Sequence, residues 1–321
     1  MTNARVIIHA AEPAALVDEL RTRHPDLDTE SCSDYDGLPN LLKTFRPDVV
    51  YSIRFAGTPG YPKEALFGED GPRWLAVGGS GIDHLGHWNP DKTIVTNAAG
   101  VAAGMMAEYA IGGMIHFALD IPGLQRDQEE RRWQERTVKS ISGKTLLIVG
   151  LGHTGQAVAA RSKAFGMRVI GTRAHPCEME NVDRVYGTSD LPELWAEADF
   201  IVVCAPLLDS TRGLIDEKAF ANMKPGTVLV DVSRGGIIVQ SALIETLISG
   251  HLGGAFLDVF ETEPLPPENP LWEMDNVLIS PHCSSVTSDW EQASLRLFSE
   301  NLSHWRDGKP LMNIVDPVRG Y

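Results

Sequence analysis

Three polar residues in the C-terminal half of this 321-residue sequence suit acid–base chemistry: Arg234, Glu263 and His282. A histidine exchanges protons near neutral pH and can serve as a proton donor. A carboxylate such as Glu263 can bond the other ring nitrogen, fix its tautomer and favour the protonated ring. A guanidinium such as Arg234 can bind a carboxylate and stabilise charge that develops on a neighbouring oxygen. The three groups together fit proton transfer to the carbonyl oxygen of a small acid.

Each of the three residues lies in a short, distinctive string. Arg234 follows the apolar run 227–230, Glu263 precedes a proline, and His282 follows one. Glu261, two residues before Glu263, is a competing candidate for the carboxylate, and the Glu-Pro string favours Glu263. Simpler interpretations stay open: an ordinary loop histidine, a solvated loop acid, and an arginine that anchors a helix terminus.

A glycine-rich turn lies upstream, near the middle of the chain. Gly150, Gly152 and Gly155 follow the apolar run 145–149 and precede a helical pattern over 156–165. In a dinucleotide-binding turn the first glycine allows the bend, the second lets a pyrophosphate approach, and the third permits close helix–strand packing. The helix N-terminus then offers N–H groups to the phosphates. A plain strand-to-helix turn is the alternative.

The end of the next predicted strand bears on the choice of cofactor. NAD-specific sites place Asp or Glu there to bond the ribose 2′-hydroxyl, whereas this chain has Thr172 and Arg173. The Arg173 guanidinium can pair with a 2′-phosphate. We therefore expect NADP(H) to be preferred, with NAD(H) as the alternative cofactor and an exposed arginine without preference as the simpler interpretation. With such a cofactor, the three polar groups are what the reduction of a 2-keto acid requires.

Short apolar runs alternate with helical patterns along the chain, and most of the runs are continuously apolar. This is typical of parallel strands covered on both faces in an α/β fold. We predict two doubly wound parallel-sheet domains: a Rossmann cofactor domain, residues 99–287, inserted in a flavodoxin-like substrate domain, residues 1–98 and 288–321. The predicted strands are 5–10, 48–53, 74–77 and 93–96 in the substrate domain and 145–149, 168–171, 200–204, 227–231, 254–257 and 277–280 in the cofactor domain.

Composition excludes several classes of protein. A hydrophobic content of 43% is that of an ordinary globular chain, and a net charge of -15 argues against sequence-blind nucleic-acid binding. The four cysteines form no CxxC pair, so we expect no metal site and reduced thiols in a cytoplasmic protein. The N-terminus has no secretory pattern. The apolar stretch 98–121 contains Glu108 and His116 and predicts a buried helix rather than a membrane span.

Several strings in the same order resemble the D-isomer-specific 2-hydroxyacid dehydrogenase family over nearly the whole chain, and among its members the glyoxylate/hydroxypyruvate reductase-like proteins. The resemblance implies the fold predicted above, an NAD(P) cofactor, a small 2-keto or 2-hydroxy acid as substrate, and the same three catalytic roles. The strings are the glycine turn 150–155, Ala205-Pro-Leu with Thr211-Arg-Gly-Leu-Ile215, Val232-Ser-Arg-Gly-Gly236, Leu257-Asp-Val-Phe260 with Glu263-Pro264, and Ser280-Pro-His282.

The resemblance also implies binding roles for other positions. His153 and Thr154 fall where backbone meets the pyrophosphate, and Asp258, with backbone near Val232, falls where the nicotinamide carboxamide is held. The family usually forms dimers through the cofactor domain, so we expect a homodimer with contacts from residues 121–139.

On the substrate side, the glycine-rich string 77–84 leaves N–H groups free to form an anion nest. The resemblance assigns backbone around Ser80 and Gly81 to the substrate carboxylate. Arg54, at the end of a predicted strand, is a further candidate that could read a second polar group or lie at the surface. A flexible turn is the simpler interpretation of the string.

Other proteins of this fold remain as alternatives. Nucleotide-sensing corepressors share the motifs, and the short chain ends favour an enzyme over them. Phosphoglycerate dehydrogenases often carry an extra C-terminal regulatory domain, whereas this sequence stops at Tyr321. Formate dehydrogenases usually pair the histidine with Gln instead of Glu, and phosphite oxidation has no positive support. We therefore expect a 2-keto acid reductase.

Overall fold

The computed structural model describes residues 4–53, 60–317 and 319. The chain divides into two compact units. Unit 1 is formed by Met1–Val101 and Thr287–Tyr321, and unit 2 by Ala102–Val286. Both ends of the chain therefore contribute to unit 1.

Unit 1 is built on a five-stranded sheet in which every strand pair is parallel. Strands and helices alternate along it as β1 (Arg5–His9), α1 (Pro13–Arg23), β2 (Asp28–Cys32), α2 (Leu38–Phe45), β3 (Val49–Ser52), α3 (Lys63–Leu66), β4 (Trp74–Val77) and β5 (Ile94–Thr96). The strand order is β2-β1-β3-β4-β5. This is the flavodoxin-like order, in which the chain turns back between β1 and β3.

Unit 2 contains a seven-stranded sheet that is also parallel throughout. Its elements are α4 (Ala103–Ala118), α5 (Ile121–Glu129), β6 (Thr145–Val149), α6 (His153–Ala164), β7 (Arg168–Thr172), β8 (Arg184–Tyr186), α7 (Leu191–Leu194), β9 (Phe200–Val203), α8 (Glu217–Asn222), β10 (Thr227–Asp231), α9 (Gln240–Ile248), β11 (Leu252–Leu257) and β12 (Val277–Ile279). The strand order is β12-β11-β10-β9-β6-β7-β8. The chain then returns to unit 1 with α10 (Trp290–Asp307).

Burial on both faces of the sheet explains the continuous apolar runs of the sequence. Along β6, Leu147 and Val149 enter one buried cluster, whereas Leu146 and Ile148 enter another on the opposite face. Successive residues of a strand point to opposite faces, so a strand covered on both sides must be apolar at every position. The structure confirms the predicted fold of two parallel-sheet α/β domains.

The strands β2 and β8 were not predicted, and their positions explain why. Both lie at an edge of their sheet, and neither is continuously buried. The sequence of β2, Asp-Thr-Glu-Ser-Cys, buries only Thr29. An edge strand needs no apolar run, so a search for such runs passes over it.

The sheet of unit 2 also explains where functional residues can gather. β7 lies on one side of β6 and β9 on the other, so the chain changes direction there and leaves a crevice at the carboxyl ends of β6 and β9. The segments that follow the adjacent strands β10, β11 and β12 leave the sheet at this same edge. Among the described residues, no helix has the length and apolar content needed to cross a membrane.

Candidate active site

His282 and Glu263 form a close pair at the carboxyl edge of the unit 2 sheet. The His282 Nδ1 and Glu263 Oε2 atoms lie 2.7 Å apart, and the two side chains are 41% and 35% exposed. The other carboxylate oxygen of Glu263 accepts a hydrogen bond from the Phe260 N–H at 2.9 Å. Burial raises the pKa of the Glu263 carboxyl, but the hydrogen bonds from His282 and Phe260 outweigh it, so the net pKa is lowered. The pair is thus both fixed and open to solvent.

The competing acid Glu261 has a different contact. Its Oε1 atom accepts a hydrogen bond from the backbone N–H of Gln240 at 2.9 Å, at the start of α9. The first N–H groups of a helix lack partners within the helix, so this contact satisfies one of them. The geometry therefore favours Glu263 as the partner of the histidine.

The loop that carries His282 is organised by the buried carboxylate of Asp258. Asp258 is 1% exposed, and its backbone oxygen accepts the His282 N–H at 2.9 Å. Its side chain accepts three hydrogen bonds from the same loop, from the Ser280 hydroxyl (2.6 Å) and from the N–H groups of Cys283 (2.9 Å) and Ser284 (3.0 Å). His282 itself has φ +50°, which non-glycine residues rarely adopt. These contacts hold the backbone in that conformation.

Tyr109 of α4 supports the same loop from a position that the sequence analysis missed. Its hydroxyl lies 3.4 Å from the Cys283 Sγ atom, and its ring stacks on Phe256 at 4.9 Å between centroids. Burial, followed by the Cys283 contact, raises the pKa of Tyr109 to about 12. In the sequence it appears only as one member of an apolar helix, so no pattern marks its contact with a residue 174 positions away.

Arg234 lies in the turn that follows β10. Its Nη1 atom donates to the Ser233 backbone oxygen at 2.8 Å, and Ser233 in turn donates to the carboxyl group of Asp231. A Cβ atom at Gly235 would collide with the Phe260 carbonyl oxygen. The Arg234 turn therefore lies directly against the segment that leads to Glu263.

The positive charge of Arg234 contributes to the lowered pKa of Glu263. Arg234 follows β10, Glu263 follows β11 and His282 follows β12, and these strands are neighbours in the sheet. The structure thus brings the three predicted catalytic residues to adjacent loops of one unit.

The glycine turn has the geometry that a dinucleotide requires. Gly150 has φ +102°, and a Cβ atom at Gly155 would collide with the Gly150 carbonyl oxygen. By contrast, a Cβ atom at Gly152 would meet nothing within 4 Å, so the described chain leaves room there for a phosphate to approach the backbone. α6 starts at His153, and the Thr154 hydroxyl faces the Met106 Sδ atom at 3.7 Å. The residues of the turn fit a bound dinucleotide.

The other residues predicted to contact the cofactor, Thr172, Arg173 and Val232, differ in their exposure. Thr172 is 1% exposed and Val232 2% as whole residues, so both are almost fully buried. Arg173 is half-buried, and its Nη1 atom lies 3.3 Å from the Cys177 Sγ atom and 3.4 Å from the Met179 Sδ atom. Sulfur atoms are weak acceptors, so a phosphate could displace them from the guanidinium.

The predicted substrate residues belong to unit 1. Ser80 is exposed in the loop after β4, and its backbone oxygen accepts a hydrogen bond from the Asn97 side chain at 2.7 Å. The loop is further tied by the Ala98 N–H, which donates to the Gly79 oxygen at 2.9 Å. Gly81 is partly exposed beside Ser80. Arg54 lies outside the described residues. The described part of the chain contains no cluster of three or more His, Cys, Asp or Glu side chains that could hold a metal ion.

Comparison with known proteins places this geometry in a family. Residues 111–284 match the family described as D-isomer specific 2-hydroxyacid dehydrogenase, NAD binding domain. A hydroxypyruvate reductase from Thermotoga maritima is 37% identical over 67% of this chain and 71% of its own length. A D-3-phosphoglycerate dehydrogenase from Methanocaldococcus jannaschii is also 37% identical, over 70% of this chain, but the chain spans only 43% of that relative.

A solved structure agrees with these relatives over the full length of the chain. A D-isomer specific 2-hydroxyacid dehydrogenase from Xanthobacter autotrophicus, in complex with NADPH and MES, superposes with a TM-score of 0.85 and 30% identity, covering 100% of both chains. The paired histidine and glutamate, the glycine turn and these similarities lead to one conclusion. The chain belongs to the D-isomer-specific 2-hydroxyacid dehydrogenase family and is an NAD(P)-dependent oxidoreductase.

Proposed function

We propose that this protein reduces a small 2-keto acid, of the glyoxylate or hydroxypyruvate type, to the D-2-hydroxy acid with NADPH as the reductant. The observation that carries the proposal is the 2.7 Å contact between His282 Nδ1 and Glu263 Oε2 beside the Arg234 turn. The hydroxypyruvate reductase among the relatives and the NADPH complex among the structures support the substrate class and the cofactor.

In this proposal each residue acts on a stated atom of the substrate. A nicotinamide cofactor held by the glycine turn would supply the hydride that the carbonyl carbon accepts. His282 donates a proton from Nε2 to the carbonyl oxygen, while Glu263 holds Nδ1 and stabilises the protonated ring. Arg234 binds the substrate carboxylate and stabilises charge as it develops on the carbonyl oxygen. The backbone of Ser80 and Gly81 would contribute N–H donors to the carboxylate, and Arg54 is a candidate for a second polar group of the substrate.

The cofactor would be held by the glycine turn and the segments beside it. The N–H groups of His153 and Thr154 open α6 and would bind the pyrophosphate. Thr172 and Val232 would contribute backbone atoms, and Asp258, already bonded to the His282 loop, would meet the carboxamide at the same edge of the sheet.

A panel of 2-keto acids tests the proposal directly. Glyoxylate, hydroxypyruvate, pyruvate and 3-phosphohydroxypyruvate are each supplied with NADPH or NADH, and cofactor oxidation is followed at 340 nm. We expect turnover of glyoxylate or hydroxypyruvate with NADPH. Turnover confined to the phosphorylated acid would instead indicate a phosphoglycerate dehydrogenase, and cofactor binding without any turnover would indicate a nucleotide-sensing protein.

The first prediction concerns the proton donor. Replacing His282 by alanine removes the group that protonates the carbonyl oxygen, so kcat should fall by about 10³-fold, whereas NADPH affinity measured by fluorescence titration should stay within about twofold because the glycine turn is unchanged. His87→Ala, at an exposed loop histidine, serves as the control and should keep normal turnover. Near-normal turnover by His282→Ala would remove this residue from the mechanism.

The second prediction separates the two candidate carboxylates. Glu263→Gln keeps the shape of the side chain but removes the charge that stabilises a protonated His282, so kcat/KM should fall by about 10²-fold. Glu261→Gln retains an oxygen to accept the Gln240 N–H and should change kcat/KM by about twofold or less. Equal losses in the two variants would contradict the assignment. Steady-state kinetics with the best keto acid provide the measurement.

The third prediction concerns the preference for NADPH, which rests on Arg173. In Arg173→Asp the guanidinium no longer pairs with a 2′-phosphate and the new carboxylate repels it, so KM for NADPH should rise by about 10²-fold while KM for NADH falls or stays unchanged. Arg184→Ala is the matched control, because this arginine lies on the neighbouring strand β8 and its guanidinium stacks on Tyr186 at 4.7 Å. A wild-type protein that already prefers NADH would refute this part of the proposal.

We also propose a homodimer formed through residues 121–139, which we call the arm. The arm displays Trp133, 103% exposed, and Val138, 49% exposed. Ion pairs hold it in shape, from Arg132 to Asp127 at 2.9 Å and from Arg136 to Asp120 at 2.9 Å. Tryptophan is enriched among the residues that contribute most to protein interfaces, so a fully exposed Trp133 supports a contact surface here.

The fourth prediction tests the arm. Trp133→Ala removes its largest exposed apolar side chain, and loss of a tryptophan at an interface should weaken dimerisation by about 30-fold in Kd. Trp272→Ala is the control, since this tryptophan is 51% exposed elsewhere in unit 2. Sedimentation velocity over a range of protein concentrations measures both. A monomeric wild type, or equal Kd values for wild type and Trp133→Ala, would exclude the arm as the interface.

A further inference from the structure

Two buried carboxyl groups lie side by side at the carboxyl edge of the unit 2 sheet, and each serves a different loop. Asp231 ends β10 and is 2% exposed, and Asp258 follows β11 and is 1% exposed. The Asp258 N–H donates to the Asp231 backbone oxygen at 3.0 Å. The side chain of Asp258 binds the loop of His282. The side chain of Asp231 is not explained by the cofactor or by the catalytic roles proposed above.

Asp231 binds the turn that carries Arg234. Its Oδ1 atom accepts the Ser233 N–H at 2.9 Å and also a short hydrogen bond from the Ser233 hydroxyl. The Ser233 carbonyl oxygen then accepts the Arg234 guanidinium at 2.8 Å. Ser233 therefore connects the buried carboxyl group to the guanidinium. Its N–H and hydroxyl donate to Asp231, and its carbonyl oxygen accepts from Arg234.

The Asp231 carboxyl group ionises in the neutral range because of its surroundings. Burial and the neighbouring Asp258 raise the pKa of Asp231, the Ser233 hydrogen bonds and the Arg234 charge lower it, and the net result is a pKa raised to about 7. On the other side, directly after β9, lies the partly buried Cys204 thiol, whose own pKa is raised by desolvation and by Asp231. Among the described residues, the titratable and charged groups that interact with Asp231 therefore include Asp258, Arg234 and Cys204.

We propose that Asp231 is a positioning residue for Arg234, and that its carboxyl group, linked to the guanidinium through Ser233, tunes how tightly the site binds a carboxylate. The inference rests on the proposed role of Arg234 as the group that binds the substrate carboxylate. Asp231 acts through Arg234 and is not itself a catalytic residue.

The direction of the effect follows from the charge. When Asp231 is protonated, the Arg234 guanidinium faces a neutral neighbour and its field attracts an anion fully. When Asp231 ionises, a buried negative charge beside the guanidinium opposes the bound carboxylate. The charges of Asp231 and Arg234 interact, and at the effective dielectric of a protein site one added negative charge near the guanidinium weakens anion affinity by about tenfold. Carboxylate affinity should therefore fall as pH rises through about 7.

The experiment measures equilibrium binding of oxamate, which carries one carboxylate and does not titrate between pH 6 and 8, to the protein saturated with NADPH. Isothermal titration calorimetry gives Kd across that range for wild type, Asp231→Asn, Ser233→Ala and Arg234→Ala. Arg234→Ala should abolish binding, and the wild-type Kd should rise with pH about fivefold more than that of Asp231→Asn. Any pH dependence that remains in Asp231→Asn comes from groups that both proteins share.

The Ser233→Ala variant provides an independent test if Asp231→Asn folds poorly. The Ser233 hydroxyl lowers the pKa of Asp231, so its removal should move the midpoint of the log Kd profile to higher pH. A role in structure alone would not move that midpoint. Each of three outcomes would overturn the proposal. The Kd for oxamate could change equally with pH in wild type and Asp231→Asn, the midpoint could stay unmoved in Ser233→Ala, or wild type could fail to bind oxamate.

Thermal unfolding supplies a readout that needs no ligand. The pKa of folded Asp231 is raised above its ordinary value of 3.8, so the protonated carboxyl group favours folding below about pH 4, and this contribution is lost as pH rises through about 7. The melting temperature of Asp231→Asn relative to wild type should therefore increase between pH 5.5 and 7.5. A constant difference would contradict the ionisation on which the proposal depends.

The outcomes also separate this inference from the proposed function. If wild type reduces keto acids but its Kd for oxamate depends on pH as that of Asp231→Asn does, only the role of Asp231 is overturned. If the Kd for oxamate changes with pH more in wild type than in Asp231→Asn, but wild type reduces no keto acid, only the proposed function is overturned.

Discussion

The parallel pairing of β10, β11 and β12 is the constraint on which the candidate site depends. Neighbouring parallel strands have their carboxyl ends at the same edge of a sheet. The segments that follow these three strands therefore lie beside one another. Arg234, Glu263 and His282 are separated by 29 and 19 positions along the chain, yet each follows one of the three strands. The sheet register, rather than any local motif, brings a guanidinium, a carboxylate and an imidazole into one neighbourhood.

Burial divides the acidic residues of this edge into two kinds. Glu263 is about one-third exposed and meets the imidazole, which suits a group that must respond to a proton on its partner. Asp231 and Asp258 are almost fully buried and bind backbone N–H and serine hydroxyl groups instead. A buried carboxyl group is costly unless such donors satisfy it, so these two residues fix loops where a solvated acid could not.

The sequence was sufficient to predict the parts of the structure that repeat a physical pattern. Continuous apolar runs predicted the buried strands, with β4, β6 and β10 at the observed bounds, and the glycine spacing predicted the turn after β6. The same approach missed β2, a mostly exposed edge strand, because nothing forces such a strand to be apolar. It also missed Tyr109 and the loop-binding roles of Asp231 and Ser233, because a single hydrogen bond between distant or ordinary residues leaves no periodic signal in a sequence.

The contacts at this edge form a closed circuit, that is, a ring of hydrogen bonds and one packing contact that links the segments after β10, β11 and β12. Asp231 holds Ser233, which bonds Arg234; Gly235 lies against the Phe260 oxygen; the Phe260 N–H bonds Glu263, and Glu263 bonds His282. The His282 N–H returns to the Asp258 oxygen, and the Asp258 N–H returns to the Asp231 oxygen. Because the circuit closes, a shift in any one loop must be taken up by both neighbours. The guanidinium and the imidazole are thereby held through the same backbone, which is how a site spread over three loops can keep one geometry.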